Sequence, residues 1–367
     1  MPEVGPDVAG RRVLEGLTIA HVGHFDPAYA RNRIMAKALR RAGARVVEVT
    51  DLRRFARRTP GLVTRTAAAR PDLVLVAFPG QADVAAARLA ARGAPVVLDA
   101  FSSILETAED RDQSSWLRSR WYAAEDRVAC RLADVVLLDT DAHIGYFARR
   151  FGVAPAKMRR VPVGADDEVM FPRPEPPREG CDQRFRVVFC GTYIPLQGVD
   201  TIVRAAAVLE RAGEEVDFLL VGNGQTYDSV RSLAARLDVG SVRFAPRVPY
   251  EGLPAVIAGA DVYLGIFGAT DKAARVIPNK VFDGLAMARP VVTADTPAAR
   301  EVLVHGRHAW LCPPADPEAL AAGIVALQAD DRARVAMAAD GHALFRQELS
   351  IDALSARVAG IVRQLVP

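Results

Sequence analysis

Along the chain, short apolar runs alternate with longer segments whose apolar residues recur at helical spacing. In the first half the runs are Leu17–Val22, Val46–Val49, Leu73–Phe78, Val96–Leu98 and Val135–Leu138. Helical segments lie between them, among them Ile34–Ala42 and Ala142–Arg150, with Asp141 read as the cap of the second. Asp51–Arg70 is a basic stretch, helical or irregular. The pattern restarts with Arg186–Cys190, Asp217–Val221, Val242–Phe244, Val262–Ile266, Pro290–Thr293 and Ala309–Leu311. Three helical segments close the chain: Pro317–Leu327, Arg332–Gln347 and Ile351–Leu365. Fully apolar strands alternating with helices predict parallel sheets covered on both faces. The boundary is the Pro-rich, polar stretch PRPEPPREGCDQR. The expected organisation is a loose tail over 1–15, a first domain over 16–172, a linker over 173–184, a second domain over 185–348 and a final helix over 349–367.

Composition narrows the class. A chain of 367 residues, half hydrophobic and a quarter charged, suits two ordinary globular domains. Residues 1–172 hold 26 Lys and Arg against 21 acids, a net +5, whereas the remainder is −2. That asymmetry favours an acidic acceptor or a membrane surface and is too weak for nucleic acid. The cysteines, Cys130, Cys181, Cys190 and Cys312, form no C-x-x-C pair, so zinc and thiol redox roles are not expected. No apolar run reaches transmembrane length. The chain is therefore expected in the cytoplasm, with peripheral contact to the inner membrane face left open. Trp116, Leu117, Trp121 and Tyr122 are interleaved with Arg118 and Arg120. Between a lipid-interface segment and a buried helix with basic flanks, the second reading is favoured.

The chemistry concentrates in IFGATDKAARVIPNKVFDGLAMARPVVTADT, residues 266–296. It reads as strand end, small-residue loop, a helix opened by Pro278 and stopped by Pro290, and a next strand over Val291–Ala294. Such a loop sits at the carboxyl ends of parallel strands, where open α/β sheets bind ligands. The helix N-terminus offers amides to an anion, and Lys280 in its first turn adds a positive charge. Asp283, three residues on, can accept hydrogen bonds from hydroxyls. Phosphate and sugar hydroxyls together describe a nucleotide sugar. Two further strand–glycine turns offer close backbone approach: Gly191-Thr192 with Gln197-Gly198, and Gly222-Asn223-Gly224.

On these residues the chain resembles family 4 retaining glycosyltransferases, in a subgroup with an Arg-Val-Ile-Pro-Asn-Lys core. The resemblance implies a GT-B fold, two Rossmann-like domains with parallel sheets facing a central cleft. It implies transfer of a sugar from a nucleotide-sugar donor to a hydroxyl acceptor, with retention of configuration. No cofactor and no metal are expected; the Asp-x-Asp triplets at 110–112 and 139–141 are read as unrelated to a metal. Asp283 takes the family's second acidic position, which holds the donor ribose. The first acidic position, which touches the transferred sugar, falls on Arg275, with Asp271 the nearest carboxylate in the loop. Positions where the family's diphosphate loop carries Arg and Lys hold Thr192 and Gln197, so Arg275 and Lys280 are left to supply the charge. Asn279 lies beside Lys280, and Arg247 and Val248 fall on the turn that borders the base. In the first domain Gly23 and His24 end the first strand near the transferred sugar, and Asp99 takes a region where relatives carry a catalytic-site His. Arg31, Asn32, Gln81 and Ser102 are the candidates for the acceptor side. Two alternatives stay open: a nucleotide-sugar epimerase on the same fold, and a non-catalytic nucleotide-sugar-binding subunit.

Overall fold

The computed structural model describes residues 12–113, 115–174 and 184–366. The chain divides into two compact units, Met1–Gly164 with Glu348–Pro367, and Ala165–Gln347. Residues 165–172, which the Pro-rich boundary leaves with the first domain, thus belong to the second unit. Most of the linker, 175–183, lies outside the described residues, as do residues 1–11 of the tail.

Among the described residues the first unit forms a six-stranded sheet from β1 (Thr18–Gly23), β2 (Arg45–Thr50), β3 (Leu73–Val76), β4 (Val96–Phe101), β5 (Val135–Leu138) and β6 (Met158–Arg160). The order is β2-β1-β3-β4-β5-β6 and every pair is parallel. In β3 and β5 all residues are buried, as a sheet covered on both faces requires. β6 escapes the hydrophobic pattern because it reads Met-Arg-Arg at the sheet edge. β4 runs three residues past the apolar Val96–Leu98, which places Asp99 inside a strand. Residues 12–15 are not a loose tail. Leu14 is fully buried, its N–H donates to Ala42 O at 2.9 Å, and Arg363 Nε donates to Val13 O at 2.8 Å. The closing helix, Ile351–Leu365, packs on the helix Ala30–Arg41, with Asp352 paired to Arg41 at 2.6 Å.

The second unit repeats the plan with β7 (Phe185–Thr192), β8 (Val216–Asn223), β9 (Val242–Ala245), β10 (Val262–Leu264), β11 (Val291–Ala294) and β12 (Trp310–Cys312). Their order is β12-β11-β10-β7-β8-β9, again parallel throughout. The helix Val199–Arg211 lays Val199, Ile202, Val203, Ala206 and Leu209 on the sheet at helical spacing. Cys190 and Cys312 are buried free thiols in these strands.

Topology decides where a ligand goes. The chain moves outward from β7 to β9, then returns to β10 on the other side of β7. Open α/β sheets take their ligands in the crevice outside the carboxyl ends of the strands at such a switch point, here β7 and β10. In the first unit the same switch falls between β1 and β3.

Candidate functional site

In the second unit three loops meet at that crevice. Gly191 and Thr192 end β7, and the loop after it runs from Tyr193 to Gly198 and contains the turn Pro195–Gln197. The loop after β10 is stitched to it: Phe267 N–H donates to Gln197 O at 3.0 Å and Gly268 N–H to Leu196 O at 3.3 Å. Gly198 has φ +60, and a Cβ there would overlap the Phe267–Gly268 backbone. The loop after β8 closes the third side. Gly222 has φ +138, and a Cβ on it would overlap the carbonyl of Gly191. Glycine is what lets these backbones touch.

Lys280 stands at the centre. Pro278 is the residue before the helix Asn279–Ala286 rather than its first helical residue, so Lys280 sits in the opening turn. It is 7% exposed. Its Nζ donates to Gln197 Oε1, lies 3.6 Å from the Phe189 ring centroid and covers Gly191. Among the described residues no carboxylate forms an ion pair with it. Burial pulls its pKa from 10.5 down to about 7, although Cys190 and Asp283 oppose the shift. An ammonium held dry, with a neutral amide and an aromatic face as its contacts, is a group whose natural partner is an anion.

Asp283 lies one turn along the helix, 6% exposed, and accepts a hydrogen bond from the Tyr250 hydroxyl at 3.3 Å. Tyr250 opens the turn after β9, next to Arg247, which is exposed, and Val248, which packs on Gly252. Asn223 is exposed and its Oδ1 accepts from Gly224 N–H at 2.6 Å, a local bond rather than a cap of the next helix. Thr192 is exposed and Asn279 half-buried. Arg275 reaches Asp271 at 3.7 Å. Gln197, neutral where a cation was expected, thus serves as the partner of Lys280. Phe189 and Tyr250 complete the surroundings. Neither could be assigned from the sequence, because a core aromatic and a site aromatic look alike there.

The first unit places its candidates differently. Gly23 has φ +138 at the end of β1. His24 is half-buried; its N–H donates to Asp83 Oδ2 at 2.8 Å and its Nδ1 lies 3.1 Å from Asp51 O. Asp83 also receives Arg58 Nε at 2.9 Å, both groups buried. Asp99 and Arg31, expected to face substrate, are buried against each other. Asp99 is 0% and Arg31 1% exposed. Arg31 binds both carboxylate oxygens at 2.8 Å and donates to Val161 O and Pro162 O at 2.7 and 2.9 Å. The pair ties β4, the first helix and the segment after β6 together, and neither group presents itself to a substrate. Asn32 donates to Asp26 O and Phe78 O at 3.1 and 2.7 Å, and Gln81 donates to Ser102 O at 3.1 Å. Asn32 Oδ1, Gln81 Oε1 and Ser102 Oγ are buried without a partner, three polar atoms at the carboxyl edge of one sheet.

One cluster was not foreseen. His143 is fully buried between Asp139 Oδ1 at 2.5 Å and Glu106 Oε2 at 2.9 Å. Burial lowers its pKa, yet the two carboxylates lift it to about 9, so it is held as imidazolium. This accounts for Asp139 of the second Asp-x-Asp triplet. The following helix, Asp141–Phe151, is capped by Thr140, not Asp141, through a bond from His143 N–H at 3.1 Å. Among the described residues no group of three or more His, Cys, Asp and Glu side chains is arranged to hold a metal.

Each unit matches a family model of its own. Residues 20–164 match the glycosyl transferase 4-like domain and residues 184–330 match glycosyl transferases group 1. Each unit is thus similar to a glycosyltransferase domain. The chain is 28% identical over 218 residues to a GDP-mannose-dependent α-(1-6)-phosphatidylinositol monomannoside mannosyltransferase of Mycolicibacterium smegmatis, covering 57% of each chain. It is 24% identical over 247 residues to the α-D-kanosaminyltransferase of Streptomyces kanamyceticus, covering 65% of this chain and 63% of that one. The matches thus span less than two thirds of these relatives. Among solved structures, Anabaena HepE, determined with UDP and glucose, superposes with a TM-score of 0.73 at 18% identity over 95% of this chain and all of that one. Sucrose-phosphate synthase of Thermosynechococcus elongatus gives 0.74 at 16% identity, over 95% and 99%. The chain therefore has the GT-B fold, two Rossmann-like domains.

Proposed function

We propose that this chain transfers a sugar from a nucleotide-sugar donor to a hydroxyl acceptor with retention of anomeric configuration. The observation that carries the proposal is the crevice at the β7–β10 switch point. There a buried ammonium with no ion-paired carboxylate among the described residues, a helix N-terminus and a buried carboxylate lie on one helix within a turn of each other. That set matches a diphosphate followed by ribose hydroxyls. Binding of the diphosphate draws Lys280 Nζ away from Gln197 and holds it protonated. Asp283 accepts the ribose hydroxyls, with Tyr250 fixing its orientation. As the glycosidic bond to the diphosphate breaks, negative charge grows on the leaving oxygen, which Lys280 and the amides of the Asn279 turn stabilise in this reading.

The acceptor side belongs to the first unit in this account. Its support is the set of unpartnered buried atoms on Asn32, Gln81 and Ser102, which fit hydroxyl groups better than an apolar ligand. Same-face transfer needs no protein nucleophile, consistent with the burial of Asp99 under Arg31. One named relative uses GDP-mannose and HepE was determined with UDP and glucose, so guanosine and uridine diphosphate sugars are the first donors to try. The test is turnover: release of nucleoside diphosphate from a panel of nucleotide sugars with mixed acceptors, and the product's anomeric configuration by NMR. Product of retained configuration supports the proposal. Conversion of the donor into an isomer without acceptor, or tight nucleotide binding with no turnover on any acceptor, refutes it.

A further inference from the structure

The helix Trp116–Leu132 of the first unit is not the buried helix its sequence suggests. Trp116 is 71%, Leu117 70% and Trp121 72% exposed, and Val128 is half exposed. Leu117, Trp121, Ala124 and Val128 follow one another at spacings of four, three and four residues, so they form one stripe along the helix. Only the opposite side, with Asp126, Ala129 and Cys130, enters the core. Arg120, Arg127 and Arg131 run along one flank of the stripe and Arg118 stands on the other, all exposed. Arg120 lies over the Trp116 ring at 5.1 Å.

A second exposed group adjoins it. Leu52 is 66% and Phe55 49% exposed, beside the exposed Arg53, Arg54 and Arg57. Phe55 rests on the guanidinium of Arg58 at 5.1 Å, Arg58 donates to Asp83 at 2.9 Å, and the turn Gln81–Asp83 packs on the helix Trp116–Leu132. The two groups therefore lie on neighbouring elements of the first unit. Arg54, Arg57 and Arg118 make no ion pair among the described residues.

We propose that this surface docks the first unit onto an anionic lipid bilayer. Tryptophan and leucine at over two-thirds exposure enter the headgroup boundary, and the flanking guanidiniums meet lipid phosphates. The arginine rim selects the occupant: a second copy of this chain would bring the same positive rim against it, whereas an anionic bilayer complements it. Among the described residues no helix is long and apolar enough to cross a membrane, so the contact is a peripheral one.

The test is sedimentation of the full chain with vesicles of phosphatidylcholine alone and of phosphatidylcholine with 30% phosphatidylglycerol. Fluorescence quenching by bromolipids runs in parallel, because two of the three tryptophans lie in the patch. The expected result is at least tenfold stronger partition onto the anionic vesicles, quenching of tryptophan, and loss of both in W116S/L117S/W121S. That variant should keep nucleotide binding and turnover of a water-soluble acceptor, which separates this proposal from the assignment of the donor site. Equal partition onto both vesicles, or an unchanged triple variant, overturns it. So does a concentration-dependent dimer that the triple variant abolishes, which would make the patch an interface between copies.

Discussion

Lys280→Met should make the protein more stable at pH 7 and leave its stability at pH 10 nearly unchanged, while abolishing nucleotide binding at both. Lys280 has a folded pKa of about 7 against 10.5 in the open chain. The unfolded state therefore binds the proton more tightly, and stability rises with pH across the window from about 7 to 10.5. At pH 7 the buried lysine costs about 4 kcal/mol, and at pH 10 under about 1 kcal/mol, at roughly 1.36 kcal/mol per pKa unit. Methionine fills a similar volume and removes that cost. It also deprives Gln197 Oε1 of its donor, a loss of about 1 kcal/mol at either pH, and at pH 7 it takes the cation from the Phe189 ring, about 1 kcal/mol more; at pH 10 the amine is neutral and that second loss is absent. The net is a gain of about 2 kcal/mol at pH 7 and close to nothing at pH 10. For a unit of this size that is a rise of roughly 4–8 °C in Tm at neutral pH and almost no change at high pH. Thermal unfolding of both proteins at the two pH values reads it directly. A difference in Tm that does not change with pH would show that Lys280 is not held dry, and the anion-site argument would lose its basis.

Other outcomes follow from the same geometry. Nucleoside diphosphate binding should be strongest below pH 7 and weaken by up to tenfold per unit above it, because the free site must take up a proton that the bound diphosphate retains; calorimetry in buffers of different ionisation enthalpy reads the proton uptake. Asp283→Asn should raise the donor KM about tenfold or more with kcat little changed, since ribose is held alike in ground and transition states. Asp99→Asn leaves Arg31 buried without its counter-charge and should destabilise the first unit by about 3–5 kcal/mol in urea, whereas an R31M/D99L pair should recover most of that loss. Gly222→Ala, at φ +138 and against the Gly191 carbonyl, should cost about 2 kcal/mol or more and weaken nucleotide binding; a neutral result would mean the three loops are not locked together.

Much of the architecture is visible in the hydrophobic pattern, because buried parallel strands are nearly all apolar. Val135–Leu138 and Ile351–Leu365 fall where the pattern puts them. The misses have physical causes. β6 is an edge strand and can afford Met-Arg-Arg. Asp99 lies in a strand because a residue 68 positions away neutralises it, a contact that periodicity cannot report. His143 is charged for the same kind of reason. In the second unit, Lys280 and Asp283 were legible because one helix carries both, and their spacing fixes their shared side. The Gln197–Lys280 contact joins residues 83 positions apart and was not legible. The exposed tryptophans ran against the expectation that large aromatics are buried, which is why they call for a partner.

The most direct test of the donor site is thermal unfolding of the chain with UDP, GDP, dTDP, ADP and CMP and their common sugar conjugates, beside Lys280→Met. A ligand at a hundred times its Kd stabilises the native state by about 2.7 kcal/mol, a shift of several degrees. The account predicts that one nucleoside diphosphate and its sugar conjugate stand out for the native chain and that the shift disappears in the variant. A flat response across the whole panel, or a shift that survives Lys280→Met, would contradict it.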